Sequence, residues 1–186
     1  ARIFRMTAYV AEPAYVELQV TSNFSFLRGG AHPEEFAARA GELGYPAIAI
    51  TDRNTLAGVV RAHLGAKSSD IRVIVGSRLE FSDGTPALLC LPTDPQAYSR
   101  LSRLLTQGKR RAGKAECHLS ESDLFAAGGI FQRGAGQVLI VIPPDEPGES
   151  FSNFLNRMRV ELESETYLAA SHLYRGDDAR RLARLA

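Results

Sequence analysis

The chain has 186 residues, of which 45% are hydrophobic and 23% are charged, and its net charge is +1. This composition is typical of a single globular domain and excludes a disordered tail, a secreted disulfide scaffold and a uniformly basic nucleic-acid-binding protein. The two cysteines lie far apart and no segment reaches the roughly 18 apolar residues of a membrane span, so we expect a soluble cytoplasmic protein without membrane contact.

The first half of the sequence alternates between predicted strands and helices. Residues 16–21 alternate in polarity and form the first expected strand. A helix over residues 33–43 begins at a proline and ends before a glycine. The apolar runs at 47–50 and 71–75 are typical of buried parallel strands, and the segment between them predicts a helix over 55–67.

The second half begins with a hairpin signal, Asp83-Gly84, between expected strands at 79–81 and 87–91. Asp94 followed by a proline starts a helix that is expected to end near Leu105. The remaining expected elements are a short helix after Ser120 closed by Gly128-Gly129, a strand at 138–142, a helix at 151–162, a strand at 167–170 and a last helix capped by Asp177.

Strands and helices therefore follow one another along most of the chain. This order favours an α/β fold with parallel strands and right-handed crossovers. We expect the strands at 16–21, 47–51, 71–76 and 138–142 to be neighbours in one curved parallel sheet, with helices on its outer face.

The last predicted helix has no terminating signal. Ala179, Leu182, Ala183 and Ala186 still form an apolar face where the sequence stops, and no glycine follows them. Because helices rarely end uncapped, residues 1–186 are interpreted as one domain that is truncated on its C-terminal side, and the resemblance described next implies that this domain is N-terminal.

Five segments together resemble a known family. They are ELQVTSNFSFLRGGAHPEEF (17–36), AIAITDRNTLAGVVRAH (47–63), IRVIVGSRLEF (71–81), AYSRLSRLLTQGKRRAGKAECHLS (97–120) and YLAASHLYRGDDARRLARLA (167–186). In this order they resemble the polymerase-and-histidinol-phosphatase (PHP) domain of bacterial C-family DNA polymerases, and within it the error-prone, damage-tolerance branch.

The resemblance implies a partial (β/α) barrel with mostly parallel strands and outer helices. It also implies a parent DNA-directed DNA polymerase that acts in translesion synthesis, DNA repair and damage-induced mutagenesis. The partners would be the remaining polymerase domains, together with DNA and other damage-tolerance proteins.

Active PHP domains carry metal ligands at their strand ends, and this sequence departs from that pattern. The family's His-x-His is Gln19-Val20-Thr21 here, and Arg28 replaces the acidic residue before the glycine pair. Arg53 stands where the family has a histidine, and Arg78 stands where the family has a glutamate. Among the ligand positions compared, only Asp52 carries the residue that the family has there. The cleft expected from these residues consists of Gln19, Thr21, Arg28, Asp52, Arg53 and Arg78.

Guanidinium groups stay charged and cannot coordinate a divalent cation, and the four histidines show no ligand spacing. We therefore expect a degenerate metal site, no cofactor and no catalytic residue in this piece. Two alternatives stay open: a metal-dependent phosphoesterase or exonuclease of the PHP family, and a standalone PHP-derived binding module.

Two positively charged sets lead to further expectations. At least two of Arg28, Arg53 and Arg78 should converge on one cleft, with Asp52 or a bound anion between them and Glu80 as a further carboxylate partner. The basic segment after Asp94 predicts contacts with DNA phosphates or another polymerase domain. Its members are Arg100, Arg103, Lys109, Arg110, Arg111 and Lys114.

Overall fold

The structure is a computed structural model that describes residues 15–125, 136–161 and 166–185. Its strands are β1 (Glu17–Val20), β2 (Ala47–Ile50), β3 (Arg72–Val75), β4 (Ser77–Leu79), β5 (Leu88–Pro92), β6 (Gln137–Val141) and β7 (Thr166–Leu168). Its helices are α1 (Pro33–Glu42), α2 (Val59–Ser69), α3 (Pro95–Arg110), α4 (Glu121–Phe125), α5 (Glu149–Glu161) and α6 (Asp178–Ala183).

The strands form two open sheets. The first has the order β1-β2-β3 and is parallel throughout. The second has the order β4-β5-β6-β7, in which β5 is antiparallel to both neighbours and β6 is parallel to β7. The α/β class with parallel strands and outer helices is therefore confirmed.

One expectation about the sheet is wrong. The strand expected at 138–142 is β6, and it does not join the first three strands but pairs with β5 in the opposite direction. The hairpin around Gly84 brings β5 back beside β4, so β5 takes the position next to β6. The prediction holds for β1, β2 and β3, which are neighbours in one parallel sheet.

Several element boundaries also differ from the prediction. Helix α2 begins at Val59 and not at residue 55, and α3 continues to Arg110, beyond Leu105. The Asp94 side chain caps α3 by accepting a hydrogen bond from Ala97 N at 2.7 Å. Asp177 stands at the cap position of α6 but makes no capping hydrogen bond with its side chain. Gly128-Gly129 lies outside the described residues.

Each sheet has its own apolar core. The first is small and rich in alanine, because α1 and α2 pack closely over β2 through Ala37, Ala40, Ala62 and Ala66. The second is larger and contains leucine and phenylalanine side chains from β5, β6, α3 and α5. No helix within the described ranges combines the length and the apolar character needed to cross a membrane.

The two sheets meet at the carboxyl ends of β2 and β3. Gly76 separates β3 from β4, so one nearly continuous segment contributes a strand to each sheet. An isolated parallel bridge joins Arg53, just beyond β2, to Arg78 in β4. Of the residues expected to form a cleft, Asp52, Arg53 and Arg78 therefore lie at the junction between the two cores.

Candidate functional site at the strand-end rim

Asp52 lies at the centre of this rim and is only 1% exposed. Its Oδ1 accepts hydrogen bonds from the Ser22 backbone N–H at 2.8 Å and from Ser25 Oγ at 2.7 Å. Its Oδ2 accepts one from Ser22 Oγ at 2.7 Å. Because Ser22 follows β1 and Asp52 follows β2, these bonds connect the ends of two strands and satisfy a carboxylate that would be costly to bury alone.

A second set of bonds connects Asp52 and Asn54 to β4. The Asp52 carbonyl oxygen accepts hydrogen bonds from Ser77 Oγ at 2.9 Å and from Arg78 N at 3.1 Å. Asn54, whose φ is +48°, donates through Nδ2 to the Glu80 carbonyl and accepts at Oδ1 from Glu80 N, both at 2.9 Å. The side chain of Asn54 thus pairs with the backbone of Glu80 like one further step of a strand ladder.

The charged side chains of the rim meet at Glu80. Arg53 Nε contacts Glu80 Oε2, and Arg78 Nε lies 3.1 Å from Glu80 Oε1 in a charge contact that lacks hydrogen-bond alignment. Two of the three arginines therefore converge, but Glu80 stands between them. The expectation that Asp52 occupies this place is corrected, because the serines already hold its carboxylate, whereas the alternative of a bound anion stays a prediction.

The other residues expected in the cleft do not join this cluster. Arg28 is exposed, and its side chain has no hydrogen bond or ion pair to another described residue. Gln19 lies within β1 and Thr21 directly follows it, both half-buried. Ser22, Ser25 and Asn54, which sequence reasoning did not select, instead make the contacts. Their only signal is that small polar residues follow two apolar strands.

The donor set at the rim does not fit a divalent cation. In the described part of the chain, no three His, Cys, Asp or Glu side chains come together as metal ligands do. Two guanidinium groups lie at the centre of the rim, where they repel cations. The rim can hold strand ends together, but no metal-dependent step can be derived from its residues.

The basic segment is divided among different surroundings. Arg111 donates from Nη1 to both carboxylate oxygens of Asp123, at 2.7 and 2.8 Å. Burial alone would raise the pKa of Asp123, but hydrogen bonds from Arg111 and Ser120 outweigh burial and lower it. Arg100 is half-buried, while Arg103 and Arg110 are exposed along α3. Lys109 and Lys114 line a groove.

That groove has a volume of about 860 Å³ and runs from the rim to the end of α3. Its lining includes Phe24, Phe26 and Arg53 from the rim and Lys109, Lys114 and His118 from the end of α3 and the segment after it. Cys117 is also part of the wall, and burial raises the pKa of its thiol. A protonated thiol is a poor nucleophile, so Cys117 is not a candidate for covalent chemistry.

Comparison with known families and proteins gives consistent matches. The family model described as the PHP domain matches residues 17–131. The chain is 51% identical over 173 residues to an error-prone DNA polymerase of Caulobacter vibrioides, and the match covers 93% of this chain and 15% of that protein. It is 46% identical over 178 residues to the error-prone DNA polymerase of Rhodopseudomonas palustris strain BisB5, covering 93% of this chain and 16% of that protein. The chain thus spans about a sixth of the length of these relatives.

Two solved structures share the fold at low sequence identity. A protein from Bifidobacterium adolescentis, described as a metal-dependent phosphoesterase, superposes with a TM-score of 0.63 at 15% identity, covering 90% of this chain and 82% of that one. An amidohydrolase from Chromobacterium violaceum, solved with bound sulfate and no metal, gives 0.60 at 18% identity, covering 92% and 82%. At these identities the likeness concerns the fold alone.

Proposed function

The chain belongs to the PHP domain family, and from this premise we propose that it is the N-terminal, non-catalytic PHP domain of an error-prone DNA polymerase. The proposal is supported by identities of 51% and 46% to polymerases of that description. Such a polymerase would act in translesion synthesis and damage-induced mutagenesis. It would be located in the cytoplasm. Its remaining domains would be the first partners of this one.

The absence of hydrolytic activity is the more specific part of the proposal. One observation carries it: Asp52, the single residue that matches the family's ligand pattern, has its carboxylate bound by Ser22 and Ser25. Beside it, Arg53 and Arg78 hold Glu80. These contacts compete with metal coordination by both carboxylates, and the described part of the rim lacks the converging neutral imidazoles and further carboxylates that hydrolytic metal sites need.

A direct assay tests this. The purified chain is incubated with manganese or zinc and either p-nitrophenyl phosphate or single-stranded DNA, and product release is measured against buffer. We expect no turnover above buffer in either case. Turnover that a chelator abolishes, and that purification does not separate from the chain, would instead support the alternative of a working PHP phosphoesterase or exonuclease.

The role that remains is a structural one within the polymerase. The rim connects two sheets through buried hydrogen bonds, and such a unit can present a rigid surface to neighbouring domains. Deleting residues 1–186 from the full-length polymerase should therefore give an insoluble or inactive enzyme. A deletion variant that stays soluble and copies a primed template at the full rate would refute the scaffold role.

A further inference from the structure

The groove brings together two side-chain types that are far apart in the sequence. Phe24 and Phe26 extend from the loop after β1, with 37% and 84% of their surface exposed. Lys109 and Lys114 line the same groove, at and just beyond the end of α3. The two phenylalanines belong to neither apolar core, so the cores do not explain why they line a groove that also contains two lysines.

The positive charges of the groove are only partly balanced by its carboxylates. Glu80 is already held by Arg53 and Arg78, and the groove contains one further carboxylate, Glu116, 3.5 Å from His118 Nε2. Neither lysine has an ion pair with any residue that the structure describes. The groove therefore offers two unneutralised ammonium groups beside two aromatic faces, and it complements a ligand that carries both negative charge and flat rings.

We propose that this groove binds single-stranded DNA, with Lys109 and Lys114 contacting phosphates and Phe24 and Phe26 stacking on unpaired bases. Positive grooves with exposed aromatic rings hold single strands without reading their sequence. An acidic peptide would satisfy the lysines but offers no flat faces for the rings. The proposal deepens the proposed polymerase function and rests on it, since it makes DNA a direct partner of this domain.

Fluorescence anisotropy with a labelled oligothymidylate of about 12 nucleotides tests the proposal, and the length lies within the site sizes of single-strand binders. Binding should be saturable and should weaken as salt rises, because phosphate contacts release counterions. The double variant Lys109→Ala/Lys114→Ala removes two contacts and should flatten the slope of log affinity against log salt by about 1.4.

A second variant separates stacking from charge. Phe26→Ala should weaken binding by about 5- to 150-fold while the salt slope stays the same, because base stacking contributes no counterion release. A duplex of equal length, whose bases are already stacked, should bind more weakly than the single strand. Since Phe26, Lys109 and Lys114 are exposed, all variants should keep the circular dichroism spectrum of the parent chain.

The matched control is Lys67→Ala/Arg159→Ala, which also removes two exposed positive charges but lies outside the groove. It should bind the oligonucleotide like the parent. Equal loss in the control and the lysine variant would overturn the proposal, and so would no binding at about 0.1 mM protein. Tighter binding of a glutamate-rich peptide of equal charge would also overturn it. Each of these results leaves the hydrolysis and deletion tests unaffected, so the two proposals fail independently.

Discussion

Ser25 shows how much of the rim depends on single side chains. Its hydroxyl donates to Asp52 Oδ1 at 2.7 Å in a buried bond and accepts from Arg53 N at 2.9 Å in a partly buried one. A hydroxyl that both donates and accepts can serve a carboxylate and an amide simultaneously. Neither alanine nor cysteine can replace it in this arrangement.

Ser25→Ala should therefore lower the free energy of unfolding by about 1.5–3 kcal/mol, which is typical of a hydrogen bond to a charged group. Urea denaturation followed by circular dichroism measures the change. Ser152→Ala, at an exposed position of α5, is the control and should stay within about 0.5 kcal/mol of the parent. A loss of similar size at both positions would show that the Ser25 contacts are not special.

The Arg111–Asp123 pair makes the stability depend on pH in a defined direction. The pKa of Asp123 is lowered in the folded state, because hydrogen bonds from Arg111 and Ser120 outweigh the opposing effect of burial. A lowered pKa stabilises the fold above the unfolded-state value of about 4, and this stabilisation is lost as the pH falls through the folded-state pKa.

The stability difference between the parent chain and Asp123→Asn should accordingly be largest at neutral pH and shrink below about pH 4. Guanidinium denaturation at several pH values between about 3 and 7 measures this difference. Asp145→Asn changes the net charge equally at an exposed position and serves as the control. A difference that grows toward low pH would contradict the assigned direction.

At the scale of elements, Gly76 determines how β3 passes into β4. A Cβ atom at this position would overlap Leu91 Cδ2 and lie 3.0 Å from Thr51 Cγ2 and 3.1 Å from the Cys90 carbonyl oxygen. The two sheets therefore approach each other so closely at this residue that a methyl group does not fit.

Gly76→Ala should destabilise the chain by about 1–3 kcal/mol, the usual cost of overpacking a core. Thermal unfolding followed by circular dichroism provides the measurement. Gly30→Ala, where no atom lies within 4 Å of the added Cβ, should be neutral or slightly stabilising. Equal melting temperatures for the two variants would mean that the junction relaxes without cost.

The elements also show what sequence reasoning could reach. The fully apolar β2 and the proline start of α1 were recognisable because burial and helix initiation leave local patterns. The direction of β6 was not recognisable, because an apolar run has the same appearance whether its neighbour is parallel or antiparallel. The groove was missed for a related reason: Phe26 and Lys109 are brought together by the fold and not by the sequence.

At the scale of the whole molecule, the two cores differ in size. The first contains mainly alanine with two isoleucines and a valine, while the second contains leucine, phenylalanine and methionine side chains. Larger side chains bury more apolar surface, and each buried CH₂ contributes about 0.8 kcal/mol. The part of the chain around β1, β2 and β3 should therefore open more readily than the part around β5 and β6.

Native-state hydrogen exchange tests this difference. The amides of Ile50 in β2 and Cys90 in β5 both lie in central strands, so edge effects are equal. Ile50 should exchange faster at low denaturant, and the rates should merge as global unfolding takes over. Equal protection at every denaturant concentration would show that the two cores open as one cooperative unit.

The cluster of Arg53, Arg78 and Glu80 also bears on whether the stability of the rim depends on the concentration of a bound ion. A rim held together by a dissociable ion gains stability in proportion to the logarithm of that ion's concentration. Here every charge is covalently attached to the chain, and a guanidinium group does not lose its proton in proteins. The contacts among these three side chains therefore do not require a dissociable ion to bring their charges together.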